Sequence, residues 1–506
     1  MARGSGNAAE AVIPGSFTHS NSGIRYSVFL RDGKAWMSYG RGKELEDAGG
    51  AEALHGERQL IYFIGSGHRG RTYLYEESGE WFEAPINYYS KKQVWDMAPN
   101  FGAAKTMPAA LPVDSNCLHC HATGVQAALP EARNKYAAQP FLQGGIGCSS
   151  CHGDSSEHLA EYGQGAILNP AKLNPVRRDS VCLQCHLEGN IAIYRSGKSL
   201  AQFHAGDKLA DFAVYFVKAS AEAGGGRAVS QYEALLRSAC KVASGDKLTC
   251  TTCHDPHNSP RPEERVSYFR NKCLTCHTGV QMATKHHPEQ QDCAACHMPT
   301  RETTDISHEQ TTDHDIQIRP PTNTPALQLA DLTRPEDLVP VGGVPVSDRE
   351  VGLAYAQLAE HGNQKAGERA LELLRKAELQ GDDDVEVHTQ LGFLEQMSGD
   401  KERARKEYAN ALKEAPYDAT AMGNLAILDA ASGDTAEAVN LLQRVVNADP
   451  SQMAAGLDLA FIDCRMDKKD EAKEILTRLT RLDPDDPVLR RFMSYGEYGG
   501  QRCQLR

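Results

Sequence analysis

The sequence predicts an α+β multidomain chain. A small antiparallel β region comes first, a mostly irregular and partly helical centre follows, and an all-α solenoid closes the C-terminus. Three observations predict this. Alternating apolar residues flank short turn signals over residues 15–110. Thirteen of the 15 cysteines crowd into residues 111–314, where long periodic segments are few. Beyond residue 350, prolines and alanines recur every 34 residues. The length agrees, since 506 residues at about 150 per domain make about three units.

In residues 15–110, IRYSVFL and KAWMSYG flank Arg31-Asp32-Gly33, and RTYLYEE and EWFEAPINYY flank Ser78-Gly79. Strand-like runs around a pair that tolerates positive φ predict two hairpins. This β-rich region is expected to pack on the centre of the chain. Within that centre, DFAVYFVKA and VSQYEALLRSACK read as short helices.

All but Cys240 of the thirteen cysteines of residues 111–314 fall into six identical frames. These are Cys117 and Cys120 with His121, Cys148 and Cys151 with His152, Cys182 and Cys185 with His186, Cys250 and Cys253 with His254, Cys273 and Cys276 with His277, and Cys293 and Cys296 with His297. Zinc sites use the same cysteine spacing but do not require histidine directly after the second cysteine. With 19 histidines in the chain, six such coincidences have a chance on the order of 10⁻⁹. Covalent haem attachment does require the pattern. Two thiols add to the porphyrin vinyl groups, and the adjacent imidazole then reaches the iron. A redox disulfide reading expects one such motif, not six. Residues 111–314 are therefore expected to hold six covalent haem c groups, which supply much of the apolar core.

Residues 315–349 contain six prolines and little periodicity, and read as a linker. In residues 350–490, Pro416, Pro450 and Pro484 stand 34 residues apart, as do Ala404, Ala438 and Ala472. Leu391-Gly392 is echoed by Leu425-Ala426 and Leu459-Ala460, and Ala370 extends the register backwards. Small residues where two helices cross, at this period, are the tetratricopeptide signature, here in about four repeats. Such solenoids offer a groove to a protein partner or to another copy of the chain.

The net charge of −13, from 54 basic and 67 acidic residues, argues against nucleic acid or anionic membranes as partners and suits basic patches on redox proteins. No stretch reaches the ~18 apolar residues of a membrane span, so a soluble chain is expected. Covalent haem attachment takes place outside the cytoplasm, so a periplasmic or extracellular location is expected. The N-terminal MARGSGNAAEAVIPGSF has no apolar core, so a leader is inferred to be missing from the chain as given.

Beyond the frames, the chain resembles bacterial multihaem c-type cytochromes with C-terminal tetratricopeptide repeats. The residues that carry the resemblance are SGIRY (22–26), IGSGHRGRTYLY (64–75), GCSSCHGDSSEH (147–158), RRDSVCLQCH (177–186), LTCTTCHDPH (248–257), DCAACHMP (292–299) and SHEQTTDHDI (307–316). Cytochrome domains related to the nitrifiers' tetrahaem electron carrier share the haem-binding portion. The family often has CHGPG where this chain has Cys151-His152-Gly153-Asp154-Ser155. The resemblance implies electron transfer in the periplasm or beyond the cell.

Six irons need a sixth ligand unless some stay open. His257, three residues past His254 and stiffened by Asp255-Pro256, is too close to reach the far face of its own haem and is placed for a neighbouring one. His158 follows the second frame, His286 and His287 precede the sixth, and His308 and His314 follow it. Of the pair before the sixth frame, His287 is taken as the ligand. His19 and His68 lie in the haem-free N-terminal region. His55, His204, His361 and His388 read as surface or packing residues, and His119 lies between two thioether cysteines. Met298 is sterically excluded, and Met97, Met107 and Met282 have no supporting motif, so mostly bis-histidine iron is expected. Cys240 reads as a buried thiol; Cys464 and Cys503 read as incidental. The leading function is an electron carrier between redox proteins. Two alternatives stay open: a nitrite- or hydroxylamine-type oxidoreductase with one open haem, and a subunit of a cytochrome filament.

Overall fold

The computed structural model describes residues 6–42, 54–65, 69–219, 227–278, 292–317 and 337–505. The chain divides into two compact units. One runs from Gly147 to Val346, and the other joins Ala2–Ile146 to Ser347–Arg506.

The joined unit begins with two antiparallel sheets. Strands β1 (Gly15–Thr18), β2 (Arg25–Arg31), β3 (Lys34–Gly40) and β4 (His55–Leu60) pair in that order. Asp32 and Gly33, with φ of 53° and 70°, form the two-residue turn between β2 and β3, whose twist matches the flanking strands. Alternation buries Tyr26 and Val28 on β2 and Ala35 and Met37 on β3. In the second sheet, β5 (Tyr62–Ile64) pairs with β6 (Gly70–Glu77), β6 with β7 (Glu80–Tyr89), and β7 with β8 (Val94–Met97). Ser78 and Gly79, with φ of 58° and 84°, turn β6 into β7. Both hairpins expected from the sequence are present.

The C-terminal segment is a run of helical hairpins: α1 (Asp348–Glu360) with α2 (Gln364–Leu379), α3 (Val385–Ser398) with α4 (Lys401–Glu414), α5 (Ala419–Ser432) with α6 (Thr435–Ala448), and α7 (Met453–Arg465) with α8 (Lys469–Leu482). A final helix, α9 (Pro487–Tyr495), ends the array. The 34-residue period is written in the caps as well as the core. Asp384 and Asp418 cap α3 and α5, Asp400 and Asp434 cap α4 and α6, and Gly399 and Gly433 end α3 and α5 with φ of 90° and 92°. Ala404, Ala438 and Ala472 are wholly buried where helices cross. Gly392 has no room for more, because a Cβ there would lie 2.6 Å from Tyr408 Cε1.

The β region packs in two directions within this unit. Ile64, Leu74 and Trp81 share a cluster with Leu118, Tyr136 and Phe141 around the first CxxCH frame. Tyr26, Met37, Tyr73, Tyr75 and Phe82 share another with Leu482 from the end of α8. Around Leu482 the main chain is tied down, with Ala110 N donating to Leu482 O at 3.0 Å and Arg58 Nη2 to Arg481 O at 2.8 Å. Asp485, wholly buried, accepts from Nη1 and Nη2 of Arg41 and from Met107 N at 2.9 Å, and pairs with Arg490 at 3.2 Å. The sequence reading, in which the repeats are set apart behind a linker, did not anticipate this attachment.

Cys464 in α7 and Cys503 beyond α9 form a disulfide, with Cα atoms 6.2 Å apart. The reading of these two cysteines as incidental is corrected. They lie 39 residues apart, and only the return of the tail across α7 brings them together.

In the Gly147–Val346 unit, Ile191–Tyr194, Ala213–Lys218 and Leu338–Pro340 form a three-stranded sheet. DFAVYFVKA, expected as a helix, thus supplies the central strand. Its β-branched and aromatic run is buried on both faces, a pattern that periodicity alone does not separate from a buried helix. Leu338 and Val341, inside the stretch read as linker, are buried. The second expected helix is two, Gln231–Arg237 and Ala239–Ser244, broken at Ser238, whose side chain caps the latter. The protein core here is Leu183, Leu200, Phe203, Leu209, Tyr215 and Val341. Among the described residues from 235 to 317, no apolar side chain is buried.

Candidate haem sites

The first frame lies in the joined unit. Asp114 caps the helix Ser115–His119, accepting from Cys117 N at 3.0 Å, so both cysteines share one short turn. His121 follows, its carbonyl accepting from Gly145 N at 3.1 Å. Its Nδ1 is buried without a hydrogen-bond partner, and burial holds the imidazole below its ordinary pKa. Leaving a ring nitrogen so placed costs about 1–3 kcal/mol.

The other five frames lie in the Gly147–Val346 unit, on short helical turns or helix ends: Ser149–His152, Pro175–His186, Cys250–Cys253, Arg265–Leu274 and Cys293–His297. Their thiols are neighbours in sequence order. Burial is the main reason the thiols of Cys151, Cys253 and Cys273 sit high, and a thiol of the next frame adds to it in each case: Cys182, Cys276 and Cys293. Cys182 and Cys250 share a hydrogen bond that holds Cys250 up and Cys182 down. Cys240 is a free, half-buried thiol near Cys276 and Cys253.

The histidine rings are held in one recurring way. His152 Nδ1 meets Leu168 O at 2.7 Å, His158 Nδ1 meets Gly165 O at 2.9 Å, His297 Nδ1 meets Gln317 O at 2.6 Å, and His314 Nδ1 meets Thr312 O at 2.9 Å. A carbonyl only accepts, so Nδ1 carries the proton and Nε2 presents its lone pair. This is how a metal-ligating imidazole is oriented. Crowding by protein atoms, with His314 and His186 nearby, holds His254 below its ordinary pKa, and burial does the same for His314. Both rings are thus kept neutral, the form that binds a metal.

Two ring pairs stand out. His152 and His257 have centroids 5.8 Å apart and planes 12° from parallel; for His254 and His314 the values are 6.1 Å and 27°. Phe269 meets His254 edge-on at 5.7 Å. His186 and His277 end their frames with exposed rings. His308 sits with φ of 60° on the turn between strands Thr300–Glu302 and Gln310–Thr312. His19 is buried and engaged at both nitrogens, by Ser22 Oγ at 2.9 Å and Gly102 O at 3.1 Å. His68, His286 and His287 lie outside the described residues. His388, read as a surface or packing residue, is buried between Glu407 at 2.8 Å and Asp383 at 3.2 Å. The carbonyls that orient the rings left no mark in the sequence, because any residue can supply one.

These residues fit covalent haem. Each frame offers two thiols and one imidazole on a single turn, and the segment carrying three frames has no buried apolar side chain of its own among the described residues.

Comparison with known proteins agrees. The family described as cytochrome c554 and c-prime matches residues 87–153, and the doubled CXXCH motif family matches residues 241–282. The tetratricopeptide repeat family matches residues 395–455 and 429–494. No curated protein matches the chain. Among solved structures, MamA of AMB-1 is 22% identical over 28% of this chain and 75% of its own, with a TM-score of 0.25. PilF of Pseudomonas aeruginosa is 23% identical over 28% of this chain and 65% of its own, also with a TM-score of 0.25. The cytochrome matches cover the first two frames and the fourth and fifth, and the repeat match covers the helical array from residue 395 onward, so the chain is a c-type cytochrome carrying C-terminal tetratricopeptide repeats.

Proposed function

We propose that this protein carries electrons between redox proteins outside the cytoplasm, on six covalent haem c groups whose irons are mostly bis-histidine. The observation that carries the proposal is the shared orientation of His152, His158, His297 and His314. Two of these stand inside CxxCH frames and two outside, yet all place the proton on Nδ1 and the lone pair on Nε2 by the same kind of hydrogen bond. Haem c, once bound, supplies reversible one-electron chemistry at iron. The chain's part is to hold each porphyrin by two thioethers, to supply neutral imidazoles, and to keep the frames in series. The Cys464–Cys503 disulfide supports an oxidising location. The helical array supports a protein partner or a second copy of the chain as its occupant. Among the described residues, no helix is long and apolar enough to cross a membrane.

Mass spectrometry of the denatured protein tests the haem count, with six covalent additions expected. Ferric low-temperature EPR tests the ligation, with low-spin signals dominating. A protein with fewer than six additions, or with mainly high-spin iron, would overturn the proposal and favour an enzyme with open haems.

A further inference from the structure

We infer that His257 is the sixth ligand of the iron carried by His152, and His314 that of the iron carried by His254. The inference rests on the haem reading above and adds which histidine serves which iron.

Two imidazoles on opposite sides of one metal each sit with the ligating nitrogen about 2 Å from it and about 1.1 Å from their own ring centre, so their centroids are about 6 Å apart. The observed separations are 5.8 Å and 6.1 Å. Each ring plane contains the metal–nitrogen axis, so near-parallel planes are compatible with a shared metal, and the planes lie 12° and 27° from parallel. An ordinary aromatic contact tolerates the same separation. It does not explain three further facts. Both pairs join one histidine inside a CxxCH frame to one outside. His152 and His314 each spend Nδ1 on a carbonyl, which leaves the lone pair on Nε2. The His257 side chain is 71% exposed, so burial contributes little to holding it beside His152.

Chain length excludes the simpler arrangement in which His254 and His257 serve one iron. Three residues span at most about 10 Å, whereas histidine Cα atoms across one iron stand roughly 12 Å apart. The turn His254-Asp255-Pro256-His257 therefore grips two different haems. Asp255 shapes it by accepting from His257 N at 2.9 Å. It follows that the haems of the second and fourth frames are direct neighbours, although the third frame lies between them in sequence.

The test uses the full haem-loaded chain and counts covalent haems by mass and high-spin ferric iron by EPR. His257→Ala should retain six haems and convert one iron to high spin. In a Cys148→Ala, Cys151→Ala background, which lacks the second haem, adding His257→Ala should open no further iron. His314→Ala should open one iron in either background. If His257→Ala opens an additional iron when the second haem is missing, or opens none in the parent, the assignment is wrong. If His257→Ala disturbs maturation, His257→Met decides. It should keep all irons low-spin and raise one reduction potential, and no shifted potential refutes the assignment. A parent with fewer than six haems would instead overturn the underlying haem reading.

Discussion

Asp485 offers the most direct test of how the β region is held to the repeats. Asp485→Asn preserves the side chain's shape and removes its charge. The carboxylate is wholly buried and receives Arg41, Arg490 and Met107 N, whereas the Arg41 and Arg490 side chains keep 19% and 30% of their surface in water. Breaking a fully buried ion pair costs about 3–5 kcal/mol. The two arginines are partly solvated after the change, so the lower end applies, about 3 kcal/mol. In a unit this large, 1 kcal/mol moves the melting temperature by roughly 2 °C, which gives a fall of about 6 °C. The assay is far-ultraviolet circular dichroism on heating, with haem absorbance followed separately. Glu57→Gln is the control. Its pair with Arg31 lies on the surface, with side chains 43% and 45% exposed, and should be worth less than about 1 kcal/mol. A melt of Asp485→Asn within about 1 °C of the parent would refute the reasoning.

Two further outcomes follow from features outside the haem sites. Cys464→Ser, or a phosphine reductant on the parent, should remove up to about 4 kcal/mol, the chain-entropy value for a 39-residue separation. Haem content should not change, because thioethers are not reduced, and an unchanged melt together with unchanged protease resistance of the tail counts against the bond. His388 gives a pH dependence. Its hydrogen bond to Glu407 raises its pKa in the folded chain, so the stability it adds is fully present below the unfolded value of about 6.5 and is lost as pH rises through the raised folded one. The melting difference between parent and His388→Gln should therefore be larger at pH 6 than at pH 9, and a difference independent of pH excludes this role.

Local codes were legible in the sequence. The turns at Asp32-Gly33 and Ser78-Gly79, the six CxxCH frames and the 34-residue period each depend on neighbours within one turn or one repeat. Non-local features were not. Nothing around Cys464 points to Cys503, and nothing around Arg41 points to Asp485. The run AVYFVK is apolar throughout, so it carried no period to separate strand from helix. The sequence offered His257 as a candidate ligand without naming a haem, and the ring it meets belongs to His152, more than a hundred residues away.

The bond between Arg41 and Asp485 joins residues 444 apart, which makes it a statement about timing. A chain delivered from its N-terminus presents the β region first and Leu482 and Asp485 almost last. Throughout that interval one face of the β core has no partner, while all six CxxCH frames have already emerged. The haem attachment proposed above would then fall while the unit that encloses the first frame is still open. On that proposal, the C-terminal repeats would complete the unit only after the frames had been presented. Mutations that weaken the clasp should then act on the finished protein's stability and leave the yield of covalent haem largely untouched.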